Sequence, residues 1–153
     1  MTEGSRLPHI RTATGQDASS VVAILAAGTL TPGREDLAAT ERYAEAIEDI
    51  VAGPSTALVA ELDHAVVGVC QLIVFRHLQG QGGWCAEIES LHVLEGYRSG
   101  GIGGALLEEA ARRAAAQGCY RLQLTSNLQR TDAHRFYERH GFEPSHRGFK
   151  RLL

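Results

Sequence analysis

The chain has 153 residues and a mass of 16.5 kDa, with 15 basic against 18 acidic side chains and a formal net charge of −3 at pH 7. At 44% hydrophobic and 22% charged residues it has the composition of one globular domain spanning 1–153, which excludes a collagen-like or disordered chain. No stretch approaches the ~18 apolar residues of a membrane span and residues 1–11 lack the apolar core of a secretory signal, so the expected compartment is the cytoplasm and no membrane partner is expected.

In chain order, residues 7–13 alternate as a short strand, after which Thr14 with Asp17 three positions later caps a helix carrying Val21, Val22, Ile24 and Leu25. That helix ends at Gly28. From about Asp36 to Ala52 the apolar residues Leu37, Tyr43, Ala44, Ile47, Ile50 and Val51 recur every three or four positions, one buried helical stripe closed by Gly53-Pro54. Thr56 to Glu61 and Ala65 to Phe75, separated by Asp63-His64, read as an antiparallel hairpin, and a third strand runs from about Gly83 to Val93. Ile102 to Gln117 is an alanine-rich helix stopped at Gly118, with Ala105, Leu106, Ala110 and Ala114 on one stripe. Arg121 to Thr125 is a short strand, Thr131 to His140 a helix stopped at Gly141, and the last ten residues read as one or two terminal strands. The order β-α-α-β-β-β-α-β-α-β implies an α/β fold, a mixed sheet with helices on both faces.

Several chemistries are excluded at this point. Lys150 is the only lysine, so a Walker phosphate loop has no place. A mildly acidic domain is a poor generic ligand for phosphate backbones, and no nucleic acid partner is expected. Cys70, Cys85 and Cys119 lack Cys-x-x-Cys or zinc-like spacing and read as reduced and mostly buried. His134, His140 and His146 fall six apart, which suits neither a helical zinc pair nor a finger, and no metal is expected.

The informative segment is Arg98-Ser99-Gly100-Gly101-Ile102-Gly103-Gly104, between an apolar strand and the alanine-rich helix. Four glycines in five positions each cost roughly 0.5–1 kcal/mol inside a helix, so something must approach this backbone closely. Glycines ahead of a helix leave amides unpaired at its positive end, an anion site suited to a pyrophosphate. The dinucleotide fingerprint does not fit, because counting from Gly101 and Gly103 brings Leu106 where a third glycine or alanine should stand. On the preceding strand Glu87 and Glu89 share one face, and paired carboxylates on an apolar strand are costly unless they meet water, a partner or a substrate amine.

Arg98-x-x-Gly101-x-Gly103 after an apolar strand resembles the acetyl-coenzyme A signature of the GCN5-related N-acetyltransferases. Asn127, Ala133 and Phe136-Tyr137-Glu138-Arg139-His140-Gly141-Phe142 are similar to that family's second coenzyme A motif. The likeness spans about residues 84–143. Asp132 to Tyr137, Ser145-His146, Phe149-Lys150 and Trp84 to Glu87 also resemble the aminoalkylphosphonate N-acetyltransferases, a pointer to a small amine. The resemblance implies a mostly antiparallel sheet of six or seven strands flanked by about four helices, and acetyl-coenzyme A as cosubstrate. It implies coenzyme A contacts from Arg98, Ser99, Gly100, Gly101, Ile102, Gly103 and Gly104, from the backbone of Leu91, His92 and Val93 along the pantetheine, and from Asn127.

It also implies Tyr137 near the coenzyme A sulfur as general acid. Glu87, eleven residues before Arg98, has the spacing of the base in the histone-acetylating branch; Glu89 is the second choice, a water chain the third. The plainer alternatives are ion pairs for the carboxylates and core packing beside Phe136 and Phe142 for the tyrosine. Three functions follow: transfer to the primary amine of a small molecule, which the short, acidic chain favours; transfer to a protein or peptide; and a non-catalytic coenzyme A module. A homodimer through the C-terminal strands is a further expectation of the resemblance.

Overall fold

A computed structural model describes residues 7–153. Its sheet has five strands, β1 (His9–Thr12), β2 (Thr56–Leu62), β3 (Ala65–Arg76), β4 (Trp84–Val93) and β5 (Cys119–Leu124), in spatial order β1-β2-β3-β4-β5. The first four are antiparallel neighbours, and β5 joins β4 in parallel. The helices are α1 (Ala18–Gly28), α2 (Thr40–Ala52), α3 (Ile102–Ala116) and α4 (Thr131–Arg139).

Two apolar layers follow from the strand alternation. On one face Leu58, Cys70, Leu72, Ala86 and Ile88 pack against Ile102, Leu106, Leu107 and Ala110 of α3, with Phe136, Tyr137 and Phe142 at the margin. On the other, Ala57, Val59 and Val69 pack against Val21 and Ile24 of α1 and Ile47 of α2. The β2–β3 turn uses Asp63 and His64 at φ +49° and +64°, the pair of left-handed residues a tight two-residue hairpin demands. Of the expected stripe of α3, Leu106, Ala110 and Ala114 are buried and Ala105 is half-buried, and Gly118 follows that helix at φ +76°.

Three expectations are corrected. The sheet has five strands among the described residues, not six or seven, and the element order ends on α4. The last ten residues form no strand: Phe149 and Leu153 would share a strand face with Arg151 and Leu152 would point the other way, so the segment has no apolar face to bury, and from Glu143 onward every residue is exposed. The tail still passes the sheet: a Cβ at Gly148 would stand 3.6 Å from Thr125 Cγ2. Finally, α2 begins at Thr40 and not Asp36, because the Asp36 carboxylate and carbonyl accept the Ala38 and Ala39 amides in a turn, which leaves Leu37 60% exposed.

Thr14 and Asp17 do act at a helix start, through a single 3₁₀ turn (Gly15–Asp17) leading into α1, with the Thr14 amide donating to Asp17 Oδ2 at 2.8 Å. Asp17 also receives both Arg11 amino groups, at 2.8 and 2.9 Å, and Arg11 Nε donates to Glu61 Oε2 at 2.9 Å. These bonds hold the Asp17 carboxyl below the usual aspartate range. Asp17→Ala removes two charged hydrogen bonds and leaves the Arg11 guanidinium with Glu61 as its carboxylate partner, so a loss of about 2 kcal/mol is expected, about 4–8 °C in Tm. A depressed carboxyl stabilises the fold above its unfolded pKa of about 3.9, and that contribution disappears as pH falls through the lower folded value. Urea melts of both proteins between pH 7 and pH 2 check this: the difference between them should shrink on acidification.

Candidate functional site

The site is made by β4 parting from β5. Pairing between them runs from Trp84–Cys119 to Ile88–Leu124 and stops, whereas β4 continues beside β3 to Val93. Beyond Ile88 the β5-facing edge of β4 has no strand partner among the described residues, and the two strands open as a fork. A bulge sits at the branch point. Gln71 faces Glu89 and Val69 faces His92, so Ser90 and Leu91 together oppose Cys70, and Ser90 takes φ +52° to fit. The bulge keeps Leu91 and Val93 in the α3 layer with Ala86 and Ile88, and turns His92 toward α1 at Gly28.

The glycine loop closes the open end of the fork. After a single turn at Glu95–Tyr97, Ser99 has φ +64° and Gly101, at φ +80°, starts α3 by accepting the Ala105 amide at 2.9 Å. The amides of residues 99–104 make no backbone hydrogen bond among the described residues. Free amides at the positive end of a 15-residue helix fit an anion of pyrophosphate type. Gly101 needs its backbone conformation. Arg98 Nε donates to the Val93 carbonyl at 3.0 Å, tying the loop to the open edge of β4.

Glu87 and Glu89 lie on the face opposite Ala86 and Ile88, as their spacing predicts. They are not equivalent. Glu87 Oε2 accepts a hydrogen bond from Gln123 Nε2 of β5 at 2.9 Å. The Glu89 carboxyl is raised above the usual glutamate range, first by burial and then by the charge of Glu87, against partial offsets from Lys150, the Ser90 amide and Arg34. Tyr137, on α4, stands edge-on to both Phe136 and Phe142, the packing neighbours the sequence offers. Burial is the main cause of its phenol being pushed up to about 12.

Asn127 lies in the β5–α4 connection, where its Oδ1 accepts the Gln129 amide at 2.9 Å and its carbonyl the Arg130 amide, also at 2.9 Å. His134 turns back to that Asn127 carbonyl, at 2.9 Å from Nε2. Two side chains in the fork have no sequence signal. His92 is lowered below the usual imidazole range by burial and then by Arg130 and Arg98, and so it is neutral at pH 7. Arg130, just ahead of α4, reaches across to donate to the Gly28 carbonyl at the end of α1. No group of three or more His, Cys, Asp or Glu that could hold a metal occurs among the described residues, and no helix there is long and apolar enough to cross a membrane.

Comparison with known proteins follows this geometry. The model of the acetyltransferase (GNAT) family matches residues 25–142. Aminoalkylphosphonate N-acetyltransferase of Salmonella typhimurium is 40% identical over 88 residues, which is 58% of this chain and 56% of that protein, so the match spans little more than half of either. A solved structure described as a transcriptional regulator from Bacillus halodurans C-125 is 36% identical with TM-score 0.90, covering 95% of this chain and 99% of that one. The structure of AAC(6')-Iy in complex with a coenzyme A bisubstrate analogue shares the fold at 16% identity, with TM-score 0.79 over 97% of this chain and 99% of that one.

Proposed function

The chain belongs to the acetyltransferase (GNAT) family, and from that premise we propose that it transfers an acetyl group from acetyl-coenzyme A directly to the primary amine of a small molecule. The observation that carries this reading is the fork itself: an unpaired strand edge, a loop of free amides at its open end, and a perturbed carboxyl at its branch point. The likeness to an N-acetyltransferase of aminoalkylphosphonates supports a small acceptor.

In this reading the amides of Ser99, Gly100, Gly101, Ile102, Gly103 and Gly104 hold the pyrophosphate with Arg98 beside them, and the β4 backbone at Leu91, His92 and Val93 lines the pantetheine. Asn127, whose Oδ1 is committed to its own loop, has its Nδ2 left to donate to the same arm. Bound there, acetyl-coenzyme A supplies the acetyl group as an activated thioester. Glu89 is the base. A carboxyl raised by burial and by a like charge holds a proton taken from an ammonium better than an ordinary glutamate does. Glu87, bonded to Gln123, supplies that like charge; the assignment reverses the order that spacing alone suggests.

Tyr137 acts as a hydrogen-bond donor. With its phenol pushed up to about 12 it stays protonated and donates a bond to the leaving sulfur, and the released thiolate takes its proton from solvent.

Gly103→Val tests the cofactor site. A Cβ there would meet Phe136 Cζ at 3.5 Å and Val93 Cγ2 at 3.8 Å, ordinary contacts, so the fold should survive while the extra methyls crowd the amides. Gly101 is a poorer probe, since φ +80° strains any side chain. Calorimetry should show acetyl-coenzyme A affinity reduced at least a hundredfold in Gly103→Val. Unchanged affinity would move the pyrophosphate elsewhere.

A further inference from the structure

Two like carboxylates share one face of β4, and the transfer needs one of them to take up a proton. What tells them apart sits at the end of the β4–β5 pairing. Glu87 is the register partner of Gln123, and only Ile88–Leu124 follows before the strands part. Register partners place their side chains on the same face, so Gln123 stands beside Glu87. Glu89, one residue past the last pair, has no β5 partner among the described residues.

The Gln123 amide is held at both ends. Its Nε2 donates to Glu87 Oε2 at 2.9 Å, and its Oε1 faces the buried Cys85 thiol, with Sγ at 3.9 Å. A carboxylate only accepts and a thiol is a weak donor, so both neighbours favour this way round over the flipped amide. An N–H donor favours the charged form of the carboxylate it meets. A proton shared between neighbouring carboxylates therefore goes to the other partner. The charged and titratable groups acting with that partner, Glu89, come from four elements: Glu87 on β4, Arg34 in the α1–α2 connection, Tyr137 on α4 and Lys150 in the tail. The Ser90 amide is its own hydrogen-bond donor, and burial opposes its charged form.

We propose that Gln123 is a positioning residue for the transfer: it ties the Glu87 carboxylate to β5 and so leaves Glu89 as the group that receives the proton of the acceptor ammonium. The inference rests on the transfer reading above, in which Glu89 is the base, and adds the reason the role does not fall on Glu87. Cys85 completes the arrangement by keeping the amide oriented.

Two variants remove the tie in different ways. Gln123→Met keeps the length and volume of the side chain and removes the donor, whereas Gln123→Asn keeps an amide that ends one carbon short of Glu87. The Glu87 and Glu89 carboxyl carbons are followed by carbon-13 NMR from pH 8 to pH 3 in protein free of cofactor, with Glu87→Gln and Glu89→Gln giving the assignments. Wild-type Glu89 should take its proton first as pH falls. In both Gln123 variants the gap between the two midpoints should narrow by about one pH unit, the worth of a hydrogen bond to a charged group. In a Glu87→Gln background, Gln123→Met should move the Glu89 midpoint no further. In turnover, the acidic limb of both variants should move toward that of Glu87→Gln and kcat should fall about three- to tenfold, with KM for acetyl-coenzyme A unchanged.

The inference is overturned if Glu87 takes the first proton in wild type, or if Gln123→Met moves Glu89 as far with Glu87→Gln as without it. It is overturned equally if both Gln123 variants keep the wild-type gap while melting at lower temperature, which would make Gln123 a packing residue. Midpoints that behave as expected in a protein that acetylates no amine would sink the transfer reading alone.

Discussion

Glu89→Gln is expected to lower kcat by about 10²–10⁴-fold, the worth of a positioned proton-transfer group, while acetyl-coenzyme A affinity changes little. Glutamine keeps the size and hydrogen-bonding shape of the side chain but cannot take a proton, so a loss of this size separates base chemistry from packing. The pH profile gives a second reading. Glu89 is raised by burial and by Glu87, so the wild-type rate should fall on acidification at a pH above the ordinary glutamate range of about 4.3, as the base becomes protonated. Lys150, the Ser90 amide and Arg34 pull the other way and offset part of the rise. Glu87→Gln removes a like charge, so the acidic limb should move to lower pH, whereas Glu89→Gln should abolish it. Steady-state rates from pH 5 to pH 9 with saturating acetyl-coenzyme A check both. A Glu89→Gln enzyme with the wild-type rate and profile would return the role to Glu87 or to water.

Tyr137→Phe is expected to lower kcat by about 10²–10³-fold, the usual effect of removing one preorganised donor to a developing anion, with the shape of the pH profile kept. The phenol at about 12 is protonated across the working range, so its loss removes a hydrogen bond and not a titration. The ring contacts with Phe136 and Phe142 are retained by phenylalanine, so stability should hardly change. Rates and thermal melts measured together make the check. Full activity in Tyr137→Phe would leave the residue as packing between two phenylalanines.

The parts of this architecture that sequence makes legible are those in which one local period decides burial. The α3 stripe of Leu106, Ala110 and Ala114 repeats every four residues and is buried as that period requires, and the Asp63-His64 turn separates two apolar runs. Gly100 and Gly101 before α3, with Gly103 and Gly104 in its first turn, announce a loop of free amides because glycine is costly in a helix start that nothing approaches. Glu87 and Glu89 share a face because strand geometry leaves no alternative. What separates them is tertiary: Gln123 belongs to a strand 36 positions on, and Lys150 to the tail. The bulge at Ser90 arises from the register against Val69 and Gln71, and serine carries no local mark of it. Arg130 is one arginine among many until α1 brings the Gly28 carbonyl beside it. The tail misleads for the opposite reason. Its apolar residues Phe149, Leu152 and Leu153 suggest a strand, but at strand spacing they fall on both faces with Arg151 among them, and all stay exposed.

Acetyl transfer at the fork is tested most directly by incubating the protein with acetyl-coenzyme A and a panel of short amines, zwitterionic and plain, and measuring free thiol and N-acetylated amine in the same samples. The expected result is thiol and amide in equal amounts, formed only when an acceptor amine is present and reduced at least a hundredfold in Glu89→Gln. Tight binding of acetyl-coenzyme A with no amide from any amine, and thiol released no faster than by spontaneous hydrolysis, would contradict it and leave a coenzyme A-binding protein without transferase activity.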